Sequence, residues 1–325
     1  MAETVDIWVL TDGRAGNEAQ ALALAEAIGR QRPASISLKP VTLKRWAALL
    51  PPGLSASFGA SRNGWPFTGL AEGGDALHWP WPDLVIGAGR RAAPIVAAIR
   101  QLHAVAAVQL LNPKMRASSF DAVIAPEHDG LTGANVLMTL GALSRLTPDT
   151  VRQQADEWRA RTAGIAEPRL AVVVGGPSKS AKFSQADERN LLLALQTLQS
   201  EYGLLVTTSR RTPEGFARQL QHALGETALL HTGTGDNPYP AMLGLADAVL
   251  VTEDSVNMAS EAASTGLPVH IFPVSGIAPK LARFHEQLAK RGMSRRFTGQ
   301  IGNWSYEPLA EADRVASDLA RRGIL

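Results

Sequence analysis

Short runs of Val, Ile, Leu and Ala, each closed by glycine or a polar residue, alternate along the chain with longer Ala/Leu-rich stretches of helical period. That alternation marks parallel strands covered by helices on both faces, so the pattern predicts an α/β fold. In the first half it predicts strands at 5–10, 35–41, 83–86, 104–111, 121–125 and 135–140, with helices at 17–31, 91–102 and 148–164. A second series of strands runs through 169–174, 204–208, 228–231, 248–252 and 268–272, with helices at 185–202, 213–224, 239–245 and 255–264. Two Rossmann-like units in tandem account for both series and imply a cleft between them. The segment Ile165-Ala-Glu-Pro168 reads as a linker, because a proline before a new strand is boundary chemistry. The expected domains are therefore 1–164 and 165–300, followed by 301–325, whose amphipathic stretch is expected to cross back onto the first domain.

Composition narrows the function classes. With 325 residues and 45% hydrophobic content the chain can fill two cores, which excludes a disordered tail or a small disulfide-stapled module. The formal charge of +2 is too small for wholesale nucleic-acid binding. The absence of cysteine removes disulfides, thiolate catalysis and cysteine-held metals. The histidines, from His78 to His285, are scattered, so no metal site is expected. The first ten residues contain Glu3 and Asp6 where an export signal is basic. The most apolar stretch, 92–111, is interrupted by Pro94, Arg100, Gln101 and His103. A soluble, cytoplasmic protein is expected. One stretch differs: 33–71 lacks any acidic residue and holds Lys39, Lys44, Arg45, Arg62, Trp46, Phe58, Trp65 and Phe67. Either its aromatics anchor an excursion under the sheet, or it is a peripheral patch for anionic headgroups or a lipid-linked acceptor.

Several strand ends carry candidate chemistry. Thr11-Asp-Gly-Arg-Ala-Gly-Asn17 follows the first strand, the place where open α/β sheets bind ligands. Gly13 permits close approach, Arg14 and Asn17 offer polar contacts, and Asp12 is either a general base or the residue that orders the turn. Gly87, Gly89 and Ala92 have dinucleotide-type spacing, but no acidic residue ends the following strand to hold a ribose, so an oxidoreductase is rejected. Arg90 and Arg91, with Gln109, Asn112 and Lys114 at the next strand end, still make an anion site.

In the second half, Gly175, Gly176, Ser178 and Lys179 form a loop suited to phosphate oxygens. The same holds for Ser209-Arg-Arg-Thr212 before Pro213, with Arg210 and Arg211 beside a helix start. The densest segment runs from Ala246 to Val269. A strand delivers Glu253 and Asp254, Ser255 caps a helix, and Asn257, Met258 and Glu261 follow on it. Glu261, two turns in, suits a carboxylate that accepts from both hydroxyls of a ribose. His285 either reaches the cleft or packs within its helix.

Glu261-Ala262 followed by Gly266-Leu-Pro268 resembles the nucleotide-sugar helix of GT-B glycosyltransferases and UDP-N-acetylglucosamine 2-epimerases. Together with Thr11-Asp-Gly-Arg14, Gly89-Arg-Arg91, Ser209-Arg-Arg-Thr-Pro213, Asn237-Pro-Tyr239, Thr252-Glu-Asp-Ser-Val-Asn-Met258 and 280–285, it makes the whole chain similar to the mitochondrial-fission "elongated mitochondria" family. The resemblance implies a GT-B-like fold, with Glu261 on the ribose, the Ser255 helix and the Arg210/Arg211 loop on the diphosphate, and Tyr239 near the base. The acidic pair Glu253-Asp254 departs from the glycines that many GT-B enzymes place there, and implies a role in orienting the arginines or meeting sugar hydroxyls. The expected function is a metal-independent glycosyltransferase with a UDP-type donor, a lipid-linked acceptor, Asp12 and Arg14 as catalytic groups, and no other cofactor. The alternatives are a membrane-surface adaptor of the fission type and a nucleotide-sugar epimerase or hydrolase.

Overall fold

The computed structural model describes residues 3–55, 59–62, 64–71 and 77–325, and it divides into two compact units. The first comprises Met1–Arg145 and Ala310–Leu325. Its elements are β1 (Val5–Thr11), α1 (Ala15–Gln31), β2 (Ala34–Pro40), α2 (Arg45–Leu49), α3 (Pro52–Ser55), β3 (Leu84–Ala88), α4 (Ala93–His103), β4 (Ala106–Leu110), β5 (Ala122–Pro126) and β6 (Val136–Thr139). The six strands form one parallel sheet in the order β2-β1-β3-β4-β5-β6. β3 and β5 are buried along their whole length, which is why Leu-Val-Ile-Gly-Ala and Ala-Val-Ile-Ala-Pro read as continuous apolar runs without alternation.

Leu24 and Ile28 of α1 pack with Ile7, Val9 and Ile86 of the sheet, and with Val315, Ala316 and Leu319 from the chain's end. On another core cluster, Ile95, Val96 and Ile99 of α4 meet Trp8, Val85 and Phe120. The aromatics of the 33–71 stretch are divided between core and surface. Phe67 joins the α4 cluster, while Trp46 is 51% exposed, its ring 5.7 Å from that of Trp65. Phe58 lies outside the described residues.

The second unit, Leu146–Leu309, contains α5 (Pro148–Trp158), β7 (Arg169–Val174), α6 (Gln185–Leu198), β8 (Gly203–Thr208), α7 (Glu214–Leu224), β9 (Leu229–His231), α8 (Tyr239–Leu245), β10 (Ala248–Thr252), α9 (Val256–Ala263), β11 (Val269–Phe272), α10 (Pro279–Lys290) and β12 (Ser294–Arg296). Its parallel sheet has the order β12-β11-β10-β7-β8-β9. The last helix, α11 (Glu311–Arg321), returns to the first unit, where Arg30 donates to Asp313 at 3.0 and 2.6 Å.

The domain boundary differs from the linker reading. The chain leaves the first unit after Arg145, and the helix expected to close that domain, α5, belongs to the second. Gly244 of α8 explains this, since a Cβ there would stand 2.1 Å from the Val151 carbonyl of α5. The supposed linker is packed as well. The buried Arg169 guanidinium donates to the carbonyls of Thr162 and Ile165, and Gly203 abuts the Ala166 carbonyl. The 301–325 segment is likewise divided, since only residues from Ala310 onward belong to the first unit.

Candidate functional site

Each sheet has a point where its strand order reverses, between β1 and β3 in the first unit and between β7 and β10 in the second. The carboxyl ends of such strand pairs form the crevice where open α/β folds hold ligands.

In the second unit that crevice is closed by its own residues. Thr252, the last residue of β10, accepts from the Gly175 amide at 2.8 Å and donates to Asp254 Oδ1 at 2.6 Å. The Asp254 side chain is fully buried, accepts from the Gly176 amide at 3.1 Å, and meets Arg211 Nη2 at 2.7 Å. Arg211 Nη1 donates to the Gly176 carbonyl at 2.6 Å, and Thr212 Oγ1 donates to the Gly175 carbonyl at 2.6 Å. The glycine pair is required by this buckle: a Cβ at Gly175 would lie 2.0 Å from Asp254, and one at Gly176 would lie 2.1 Å from the Arg211 carbonyl. Gly175, Gly176, Arg211 and Thr212, all expected at a phosphate, therefore tie three strand ends together around Asp254, whose carboxylate orients Arg211.

Glu253 turns away in the same manner. Its Oε2 accepts from the Val274 amide at 3.2 Å, and its carbonyl accepts from His285 Nε2 at 2.8 Å. Burial pushes the His285 ring down to about 4, so it is neutral, and it packs within the unit. Ser178 and Lys179 are exposed, with Ser178 Oγ accepting from the Ser180 amide. Ser255 caps α9 through the Met258 amide, and Asn257 is half-buried on its first turn.

A cavity of about 470 Å³ opens beside this buckle, over the ends of β7 and β8. Ser209, Arg210, Tyr239, Met258 and Glu261 line it. Arg210 is exposed, and no described carboxylate pairs with it. Glu261, on the second turn of α9, is half-buried. Burial raises its carboxyl to about 7, with the neighbouring Tyr239 hydroxyl pulling the other way. That hydroxyl is buried against Glu261, and burial first, then the adjoining carboxylate, push its ionisation far above the ordinary range. Burying polar groups in this way is unfavourable unless something else satisfies them.

At the reversal point of the first unit, Gly13 (φ +75°) and Gly89 (φ +80°) bring the ends of β1 and β3 together. The Asp12 side chain is 2% exposed; Oδ1 accepts from Asn17 Nδ2 at 3.2 Å, and Arg14 Nε stands 3.6 Å from Oδ2. Asp12 Oδ2 has no hydrogen-bond partner. Any side chain at Gly89 would strike Asn17, its Cβ falling 2.5 Å from Nδ2. Gln109 does not face this group. It is fully buried and donates to the carbonyls of Gly89 and Leu110. Asn112 accepts from the Lys114 amide in a tight turn. Arg90, Arg91 and Lys114 line a different cavity, of about 300 Å³, against α2 and Trp65.

The sequence matches the mitochondrial fission ELM1 family over residues 15–322. The chain belongs to that family. It is 31% identical over 277 residues to mitochondrial fission protein ELM1 of Arabidopsis thaliana, a match that covers 74% of this chain and 65% of the plant protein's length. Among solved structures it is similar to UDP-GlcNAc 2-epimerase from Methanocaldococcus jannaschii, with a TM-score of 0.57, 8% identity, and 97% and 99% of the two chains covered. It is also similar to the Neisseria meningitidis UDP-GlcNAc 2-epimerase bound to UDP-GlcNAc, with a TM-score of 0.51, 10% identity, and 98% and 92% covered. At such identities the likeness is one of fold, and this ELM1-family chain has the GT-B-like architecture of two parallel-sheet units.

Three residues of the cavity escape a reading of the family motifs. His231, the last residue of β9, lines it together with Gly233 and Gly235 of the loop that follows. The signal was present in His231-Thr-Gly-Thr-Gly235, where both glycines adopt positive φ, but a histidine weighed only as a metal ligand does not direct attention to a third strand end.

Proposed function

We propose that the second unit of this ELM1-family protein binds a UDP-type sugar nucleotide in the cavity lined by Glu261, Arg210 and Tyr239. The observation that carries the reading is the contrast among three neighbouring carboxylates. Asp254 and Glu253 are consumed by backbone amides and arginine, whereas Glu261 reaches the cavity with no such partner, on the helix that follows the reversal-point strand. A carboxylate so placed accepts from two ribose hydroxyls, and Arg210 opposes the diphosphate charge. Two epimerases of similar fold act on UDP-GlcNAc, one of them with that ligand bound, which supports the donor class.

For transfer chemistry we assign the base to Asp12, whose Oδ2 accepts no hydrogen bond and lies beside Arg14 while Asn17 holds Oδ1. The acceptor oxygen bonds to the anomeric carbon, the bond from that carbon to the diphosphate breaks, and the nucleoside diphosphate leaves with the electron pair. The hydroxyl proton passes to Asp12. The acceptor is proposed to be lipid-linked.

A second reading is favoured by the family itself, named for mitochondrial fission: a non-catalytic adaptor that recruits a partner at a membrane. Calorimetric titration with UDP-GlcNAc, UDP and other nucleoside diphosphates separates the two. The transferase reading expects selective binding that Glu261→Ala abolishes in a folded protein. Partner recruitment unchanged by Glu261→Ala, with no binding by the wild type, supports the adaptor.

A further inference from the structure

The 300 Å³ cavity of the first unit does not have Asp12 in its lining and is lined by two unlike kinds of residue. Its walls are apolar, formed by Leu43, Ala47, Leu50, Pro52, Trp65 and Ile95. Its polar boundary is entirely cationic, with Arg90 and Arg91 before α4 and Lys114 from the turn after β4. No described carboxylate pairs with any of the three, although most other arginines of the unit have such partners, among them Arg30, Arg100 and Arg145. Arg91 Nε is buried and has no hydrogen-bond partner. The wall segment belongs to the 33–71 stretch, which contains no acidic residue. Beside it, Leu49 is 83% exposed and Trp46, against Trp65, is 51% exposed.

A buried, unbonded Nε on a cationic side chain beside an apolar groove is an unfavourable arrangement on its own. It becomes favourable when one molecule supplies both an anion and a hydrocarbon chain. We infer that this groove binds a single lipid phosphate, its monoester head held by Arg90, Arg91 and Lys114 and its chain laid along the Leu43–Trp65 wall. Three convergent donors match a dianionic phosphate better than a carboxylate. The groove form points to an individual chain drawn out of the bilayer, whereas a membrane face needs only exposed side chains. As the acceptor class for sugar transfer this rests on the reading above. The binding itself does not.

The test titrates hexyl, octyl and decyl monophosphate into the full chain, following tryptophan fluorescence, with inorganic phosphate and the matching alcohols as controls. Affinity is expected to rise roughly fourfold per added methylene until the groove is filled. Inorganic phosphate and the alcohols are expected to bind far more weakly. Arg90→Gln with Lys114→Gln, both exposed positions, should weaken the alkyl phosphates by about tenfold or more. Ala48→Phe, which places a ring in the groove, should flatten the chain-length dependence and leave inorganic phosphate unchanged. Affinity independent of chain length, or equal for the alcohols, overturns the proposal. So does preference for phosphatidylglycerol vesicles over the monoesters, which would make the region a membrane face. UDP-GlcNAc titrated into the same variants should bind as in the wild type, so failure at this groove and failure at the nucleotide cavity are read separately.

Discussion

Glu261 and Asp254 are seven positions apart in the chain and opposite in consequence. Folding raises the Glu261 carboxyl to about 7 from its ordinary 4.5, so the folded state holds a proton there that the unfolded chain has lost. Its cost to stability is absent below about pH 4.5, grows as pH rises toward 7 and is complete above it. Glu261→Gln should therefore stabilise the protein at pH 8 by on the order of 2–3 kcal/mol and have little effect at pH 5, as thermal melts at the two values would show. An equal effect at both pH values would contradict the assignment. Under the proposed binding mode the pH effect on affinity runs the other way, because the ionised carboxylate is the form that accepts from ribose, and UDP-GlcNAc affinity should increase from pH 6 to pH 8 in the wild type only. Asp254→Ala leaves Arg211 and the Gly176 amide without their shared partner and should cost about 3–5 kcal/mol, measured by denaturant unfolding. Sequence spacing placed Asp254 just after β10 and Glu261 on the helix that follows, as the structure has them. It did not separate them, because which one turns inward depends on the Gly175 and Arg211 loops arriving from other strands.

At the scale of elements, strands were the most legible feature. β7 and β10 fall at 169–174 and 248–252 as the apolar runs predict, because a strand buried on both faces has no polar positions to blur its ends. α10 was legible only around His285, without bounds: Leu281, Phe284, His285 and Leu288 are spaced as one buried helical face, but the remaining positions are mostly polar or charged. β12 is a three-residue edge strand with two exposed arginines and carries no apolar signal. The boundary error around α5 has a similar origin. Ile165-Ala-Glu-Pro168 looks like a linker locally, and only contacts with Arg169 and Gly203 show that it is packed. α11 yields a direct prediction: Leu319, fully buried among α1 and sheet residues, should cost about 2–5 kcal/mol when changed to Ala. The loss should appear in the hydrogen-exchange protection of α1, and protection that is unchanged would mean the helix is dispensable to that core.

For the molecule as a whole, the family and the GT-B-like architecture follow from residues spread along the entire chain, whereas the proposed function rests on a few side chains of one cavity. No described helix is long and apolar enough to cross a membrane. The second unit's cavity is the place where Arg210, which no described carboxylate pairs with, meets the adjoining Tyr239 hydroxyl and Glu261 carboxyl. The most direct test of that convergence is isothermal titration of UDP-GlcNAc into the wild type and Glu261→Gln at pH 8. Saturable binding by the wild type, weakened at least about tenfold in a variant that melts no lower, is the predicted result. Equal affinity in the two proteins, or heat from neither UDP-GlcNAc nor any other nucleoside diphosphate sugar, would contradict it.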